Sequence, residues 1–372
     1  EEALMKLNKI NQRRWKNFKQ NKRAFWSLII FTICFVFSLC GEFIANDKPL
    51  LVRYQGAYYM PVLSFYSEAT FGGDLKTEAI YSDIEVECLI ISGGLEECWD
   101  APEVIIIDSQ DGFIDNKKIE QGFVLWPLIP YHYSTVVTLD VPAPSPPDKN
   151  HLLGTDDTAR DVLARVIYGF RLSVLFALIV SILSSIIGIF MGAIQGYFGG
   201  RTDLFAQRLI EIWGATPSLY VIIIVAAIYR MDFWLLVFLM ILFSWTALVG
   251  VVRAEFLRAR NFEYVQAAKA LGVSPVKIMI QHVLPNAMVA TLTMLPFIVT
   301  GAIGSLAALD FLGFGLPSSA PSLGELTLQA KQNLQAPWLG LTAFSVFALM
   351  LMMLVFIFEG IRDAFDPRKT FS

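Results

Sequence analysis

Six stretches of this chain contain no Asp, Glu, Lys, Arg or His: residues 24–41, 172–196, 212–229, 233–252, 287–309 and 337–358. Each is long enough to cross a bilayer core of roughly 30 Å at about 1.5 Å per helical residue. In lipid a helix satisfies its own backbone hydrogen bonds, so the pattern predicts an all-α polytopic membrane protein with six transmembrane helices. The composition agrees. Of 372 residues, 55% are hydrophobic and 17% charged, and the mean hydropathy of +0.55 lies outside the range of ordinary soluble domains.

The first stretch follows "RRWKNFKQNKR", a basic segment that superficially resembles the start of a cleavable signal. The apolar run is too long for one and no A-x-A-like site follows. Cys40 precedes Gly41, but Leu39 stands where a lipoprotein site wants a small residue, so a retained helix is expected. Lys6, Lys9, Arg13, Arg14, Lys16, Lys19, Lys22 and Arg23 precede this helix, which by the positive-inside rule puts the N-terminus in the cytoplasm. Six spans return the C-terminus to the same side. Basic residues then fall where the topology requires them: Arg201 after span two, Arg253, Arg258, Arg260, Lys269 and Lys277 between spans four and five, and Arg362, Arg368 and Lys369 after span six.

Between spans one and two the charge reverses. Residues 43–157 hold 19 acidic and 6 basic side chains, as expected of an external domain. "LLVRY", "EVIIID" and "STVVTLDV", separated by Gly, Asp and Pro, read as strands of a small, mostly β insert, closed by the proline-rich linker "VPAPSPPDKN". Cys88 and Cys98 flank "LIISGGLEE", where Gly93 and Gly94 could turn a hairpin and bring the sulfurs together. A disulfide and two free thiols both remain open. Cys34 and Cys40 lie inside the first span, where a small apolar side chain is the plain reading.

Span two carries small residues at regular intervals. Ser173, Ala177, Ser181 and Ser185 recur every four residues, and Gly188, Gly192 and Gly196 do the same one ridge over. Such ridges let another helix approach closely in lipid, either within the bundle or on a second chain. Pro217 and Pro296 inside spans three and five should bend those helices.

No span contains an ionisable residue of the kind that couples ions or protons in a secondary transporter. His132, His151 and His282 all lie outside the spans, and neither a catalytic constellation nor a metal-ligand pattern is present. No G-x-x-x-x-G-K-[ST] loop occurs, so the chain either moves solute passively or takes energy from another polypeptide.

Against this background "FEYVQAAKALGVSPVKIMIQHVLPN", residues 262–286, is polar and helical between two apolar spans. Ala267, Ala268 and Ala270 favour helix, Gly272 suits a helix C-terminus, Ser274 an N-cap and Pro275 a first helical position. A second helix, with Val276, Met279, Ile280, Val283 and Leu284 at helical spacing, should end at Pro285, where span five begins. The result is a helix–glycine–helix knob. A surface loop and a docking element are both compatible with it, whereas a DNA-reading helix-turn-helix is disfavoured by a net charge of about +3 over the whole inter-span segment 253–286 and the absence of any soluble domain.

The stretch "EYVQAAKALGVSPVKIMIQHVLPNAM" resembles the coupling motif of ABC-importer permeases, E-A-A, three residues, G, nine residues, I-x-L-P. Ala267, Ala268, Gly272, Leu284 and Pro285 match, while Gln266 replaces the Glu and His282 the Ile, as in the dipeptide and oligopeptide branch. "HLLGTDDTARDVLARVIYGFRLSVL" is similar to that branch's G-T-D-x-x-G-R-D stretch, with Ala159 for the Gly, and "LDFLGFGLPSSAPSLGE" to its loop after span five. The N-terminal segment resembles the C-type permease of peptide importers. The long insert, with "GEFIANDKPLLVRY" and "NLQAPWLG", is closest to the Yej-type subgroup.

The resemblance implies a type I importer permease: a basic cytoplasmic segment (1–23), transmembrane helix one (24–45), a periplasmic insert and linker (46–160), a core holding helices two to six (161–360) with a coupling hairpin at 253–286, and a cytoplasmic tail (361–372). It implies a non-catalytic inner-membrane subunit moving peptides, among them peptide-nucleotides of the microcin C kind, by alternating access. Its partners would be a second permease chain, cytoplasmic ATPase domains that hold ATP and Mg, a periplasmic peptide-binding protein and membrane lipid, with no nucleic acid and no cofactor of its own. Tyr264, Ala267, Ala268, Gly272, His282, Leu284 and Pro285 would form the ATPase-coupling site. The rival is an ion-coupled carrier or passive channel without an ATPase.

Overall fold

The computed structural model describes residues 9–108, 113–114, 117–118, 121–139 and 141–365. In chain order the helices are α1 Lys9–Gln20, α2 Lys22–Leu39, α3 Gly41–Ile44, α4 Ile84–Ser92, α5 Pro102–Asp108, α6 Val162–Phe198, α7 Gly200–Gly214, α8 Ser218–Ile228, α9 Phe233–Ser244, α10 Thr246–Ala259, α11 Glu263–Ala270, α12 Pro275–Ile278, α13 Leu284–Phe311, α14 Leu323–Gln332 and α15 Pro337–Phe365. The strands are β1 Leu51–Tyr54, β2 Ala57–Tyr59, β3 Phe113–Ile114, β4 Lys117–Lys118 and β5 Phe123–Leu125. Two compact units result, one of Glu1–Phe35, Gly169–Leu334 and Gly340–Ser372, the other of Val36–Tyr168 and Gln335–Leu339. Arg368 and Lys369 of the tail lie outside the described residues.

Among the described residues five helical runs are long and apolar enough to cross a membrane: α2, α6, α9 with α10, α12 through α13, and α15. The pair α7 and α8, bent by 60°, passes the same test only when taken together, as a broken sixth span or a re-entrant loop. The expected straight helix over 212–229 is therefore broken. Pro217 lacks a backbone N–H and drives its predecessor out of the α region; it sits at the N-cap of α8 with ψ of 109°. Pro296, by contrast, lies inside the continuous α13, where the Thr300 hydroxyl donates to its carbonyl at 2.7 Å.

The glycine ridge of α6 is covered by helices of the same chain. A Cβ at Gly188 would stand 2.5 Å from the Trp245 carbonyl oxygen, one at Gly192 2.8 Å from that of Val249, and one at Gly196 2.6 Å from that of Arg253. The two sets share a four-residue step, so backbone lies on backbone along the whole contact. Ser173, Ala177, Ser181 and Ser185 are likewise buried within the chain.

The unit between the first two spans is mixed, not mostly β. β2, β1 and β5 form an antiparallel sheet with Val52 opposite both Tyr59 and Val124. Under it Phe71 makes edge contacts with Tyr54, Tyr59 and Tyr81 at centroid distances of 5.6, 5.4 and 5.8 Å. "EVIIID", expected as a strand, is helix α5. An unbroken apolar run does not distinguish strand from buried helix, and Pro102 at the first helical position decides for helix. Its Ile105 and Ile106 pack on Cys88, Leu89 and Cys98.

Gly93 and Gly94 do not turn a β-hairpin. Gly93, at φ of 81°, terminates α4, and the chain returns through a 3-10 turn at Glu96–Trp99. This return brings the Cα atoms of Cys88 and Cys98 to 5.6 Å, and the two form a disulfide. "STVVTLDV" forms no strand among its described residues either. Val136 bridges Arg160 and the Val137 N–H donates to the Ala159 carbonyl at 2.9 Å, so the segment straps a tight turn instead of joining the sheet.

That turn is "GTDDTARD". Asp156, fully buried, accepts from the Thr158 and Arg160 N–H groups at 2.9 Å each and from Arg160 Nε at 2.9 Å, with Arg165 Nε at 3.4 Å. Asp161 caps α6 by accepting from the Ala164 N–H at 2.8 Å, and its other oxygen lies 2.9 Å from His151 Nδ1. Buried carboxylates held by several donors make such a turn rigid. Ala159 sits at φ of 57°, which explains the Gly that the resembled motif carries here. Ala159→Gly is expected to stabilise the protein by about 0.5–1 kcal/mol in thermal unfolding, and Ala159→Val to destabilise it.

Candidate ATPase-coupling hairpin

The hairpin's inner face is built first. Val265 and Ala268 on α11, Ile278 on α12 and Val283 join Ala193 and Tyr197 of α6 and Val252, Phe256 and Ala259 of α10 in one buried cluster. Polar contacts brace its base. Arg253 donates to both oxygens of Asp203 at 2.5 and 2.7 Å, tying α10 to α7. The Lys269 ammonium stands 5.1 Å from the Tyr197 ring centroid, tying α11 to α6.

Gly272 closes α11 at φ of 76°. Its N–H donates to the Lys269 carbonyl at 3.0 Å and that of Val273 to Ala268 at 3.1 Å, the paired bonds of a Schellman turn. A Cβ at this position would meet nothing within 4 Å, so the requirement for glycine is conformational and not steric. Ser274 stands at the N-cap of α12, though its side chain makes no capping hydrogen bond.

The second arm does not end at Pro285 as expected. α12 passes through a π-turn at Met279–Val283 directly into α13, giving one helical run, Pro275–Phe311. The wider π-turn lies just ahead of Pro285, where a proline ring would collide with a carbonyl of the preceding turn in a regular helix. The knob's second arm and span five are thus a single helical element.

The candidate coupling residues divide between two roles. Ala268 is buried, and Leu284 packs against the cluster, so both belong to the knob's frame. Tyr264 is exposed; its hydroxyl accepts from Asn286 Nδ2 at 2.9 Å, holding α11 to the first turn of α13. Ala267 and Pro285 are exposed and His282 half-buried. Gln266, in place of the family's Glu, donates from Nε2 to the Arg260 carbonyl at 2.9 Å. Sequence reasoning missed the outward apolar side chains Leu271, Val276 and Ile280, which are 82%, 59% and 57% exposed. Their signal was present as apolar residues at the tip of an otherwise polar segment.

Residues 184–371, which contain the whole hairpin, match the family described as the binding-protein-dependent transport system inner membrane component. This chain belongs to that family. The permease's residues 11–61 also match the N-terminal transmembrane domain of oligopeptide transport permease C. It is 49% identical to the inner membrane ABC transporter permease protein YejE of Escherichia coli K12, over 98% of this chain and 99% of that one. It is also 49% identical to the peptidoglycan transport system permease protein YejE of Agrobacterium fabrum, over 97% and 93%. The oligopeptide transport permease OppC of Bacillus subtilis is 32% identical over 64% of this chain and 78% of that one. The permease is therefore a multi-pass inner-membrane transport subunit of an ABC importer.

Proposed function

We propose that this permease moves short peptides, that a separate ATPase domain docks on the hairpin, and that a second permease chain and a binding protein complete the transporter. The observation that carries the docking role is the apolar tip of Leu271, Val276 and Ile280, held outward by a fully packed inner face. Three exposed apolar side chains on one short, otherwise polar hairpin suit a surface that a partner protein covers. Continuity of the second arm with α13 supplies the transmission, because a displacement of the knob displaces span five with it. Alternating access then follows from ATPase closure, with the hairpin as lever.

The peptide cargo is supported by near full-length similarity to the two YejE proteins and by the oligopeptide permease relative. Peptide-nucleotides of the microcin C kind and, from the name of the Agrobacterium fabrum relative, peptidoglycan are the cargo classes to test first. Both termini are cytoplasmic in this scheme and the insert is periplasmic. Exposed Lys149 and Lys269 report on it. Lys149→Cys should react with an impermeant maleimide added outside intact spheroplasts, and Lys269→Cys only after permeabilisation. Labelling of Lys269→Cys from outside would remove the hairpin from the ATPase side.

A further inference from the structure

We propose that the groove between α1 and the C-terminal end of α15 is a binding site for one anionic phospholipid, with an acyl chain in the groove and the phosphate on the basic side of α1. The groove encloses about 430 Å³ and is lined by Trp15, Phe18, Leu28, Ile361, Ala364 and Phe365, with Arg14 at its rim. Its walls are fixed. Asn21 turns the chain between α1 and α2 by accepting from the Ala24 N–H at 3.2 Å, and Phe18 and Ala24 are buried against Ala364. Gly360 permits this approach, since a Cβ there would stand 2.9 Å from the Phe18 ring. The cleft is thus a product of packed helices and not of loose side chains.

Three observations select a lipid of negative charge. The groove lies where the basic helix α1 meets the start of the apolar helix α2, the level at which headgroups sit beside a membrane span. Lys9–Arg23 carries seven basic residues and no acidic one, the composition that attracts anionic headgroups. Finally, the cations stand on the groove's own aromatic rim: Arg14 Cζ is 4.1 Å from the Phe365 ring centroid and Lys19 Nζ 5.3 Å from that of Trp15. An apolar slot beside a fixed cationic edge matches an acyl chain joined to a phosphate. Arg362, Glu359 and Asp363 neighbour the slot on α15, with the arginine 3.7 and 3.6 Å from the two carboxylates.

Photocrosslinking tests the site in the assembled transporter. Trp15→benzoylphenylalanine is irradiated in vesicles of equal parts phosphatidylglycerol and phosphatidylcholine, beside Phe344→benzoylphenylalanine at an exposed position on α15. Adducts at position 15 should favour phosphatidylglycerol, and those at 344 should not. Adding Lys19→Gln should lower the preference about fivefold, the effect of one interfacial cation, while Lys19→Arg keeps it. Lys19 is exposed, so neither change threatens folding, and the position 344 signal normalises for protein amount. Equal adducts with both lipids at position 15, or an adduct to a polypeptide covering the groove, would overturn the assignment.

Discussion

Gly272→Val is expected to reach the membrane in normal amount and to lose peptide uptake together with substrate-stimulated ATP hydrolysis. Gly272 holds φ of 76° in the Schellman turn that ends α11. A β-branched residue there is a conformational outlier costing about 1–3 kcal/mol. Nothing lies within 4 Å of the new Cβ, so no clash spreads into the spans and the whole penalty falls on the shape of the knob. The population presenting Leu271 and Val276 in docking geometry falls, and the apparent affinity for the ATPase falls by the same fraction. Gly272→Asn separates conformation from side-chain bulk. Asn visits the left-handed region readily, so this variant should retain most activity. Equal losses in both, measured as ATP-dependent uptake at matched protein level, would show that the turn is not what matters.

Gly192→Leu should have the opposite profile, with failure at assembly of the helices and not at coupling. Its Cβ would lie 2.8 Å from the Val249 carbonyl oxygen and 2.9 Å from Val252 Cβ, and the first of these is backbone that cannot rotate away. Overpacking of this kind costs about 1–3 kcal/mol and occasionally more. We expect a lower melting temperature in detergent and reduced accumulation in the membrane. Gly250→Leu, on α10 with nothing within 4 Å, is the control and should melt like the wild type. Unchanged stability of Gly192→Leu would mean that α6 and α10 are not in backbone contact.

What the sequence made legible follows from the range of the interactions concerned. Charge-free stretches and four-residue ridges are local signals, so five of the spans and the packing face of α6 could be read directly, whereas the break within 212–229 could not. Gly272 was legible for the same reason, as a residue whose conformation is set within its own turn. The "EVIIID" segment was misread because an all-apolar run has no period to distinguish helix from strand. Val276 and Ile280 were counted with Val283 in the helical pattern of the second arm, yet these two face outward and the uncounted Ile278 turns inward beside Val283. Periodicity identifies a helix with an apolar stripe, but which of two stripes is buried depends on α6 and α10. The π-turn ahead of Pro285 and the Asp203–Arg253 pair, 50 residues apart in the chain, likewise depend on long-range placement.

In the proposed transporter this chain supplies the path and a separate ATPase, docked on the hairpin, supplies the energy. Peptide uptake into proteoliposomes tests it most directly, comparing the permease purified with its ATPase against the same preparation stripped of it. Uptake is expected only with the ATPase present and ATP on the hairpin side, abolished by Gly272→Val and indifferent to an imposed proton or sodium gradient. Uptake by the stripped preparation, driven by such a gradient, would contradict it.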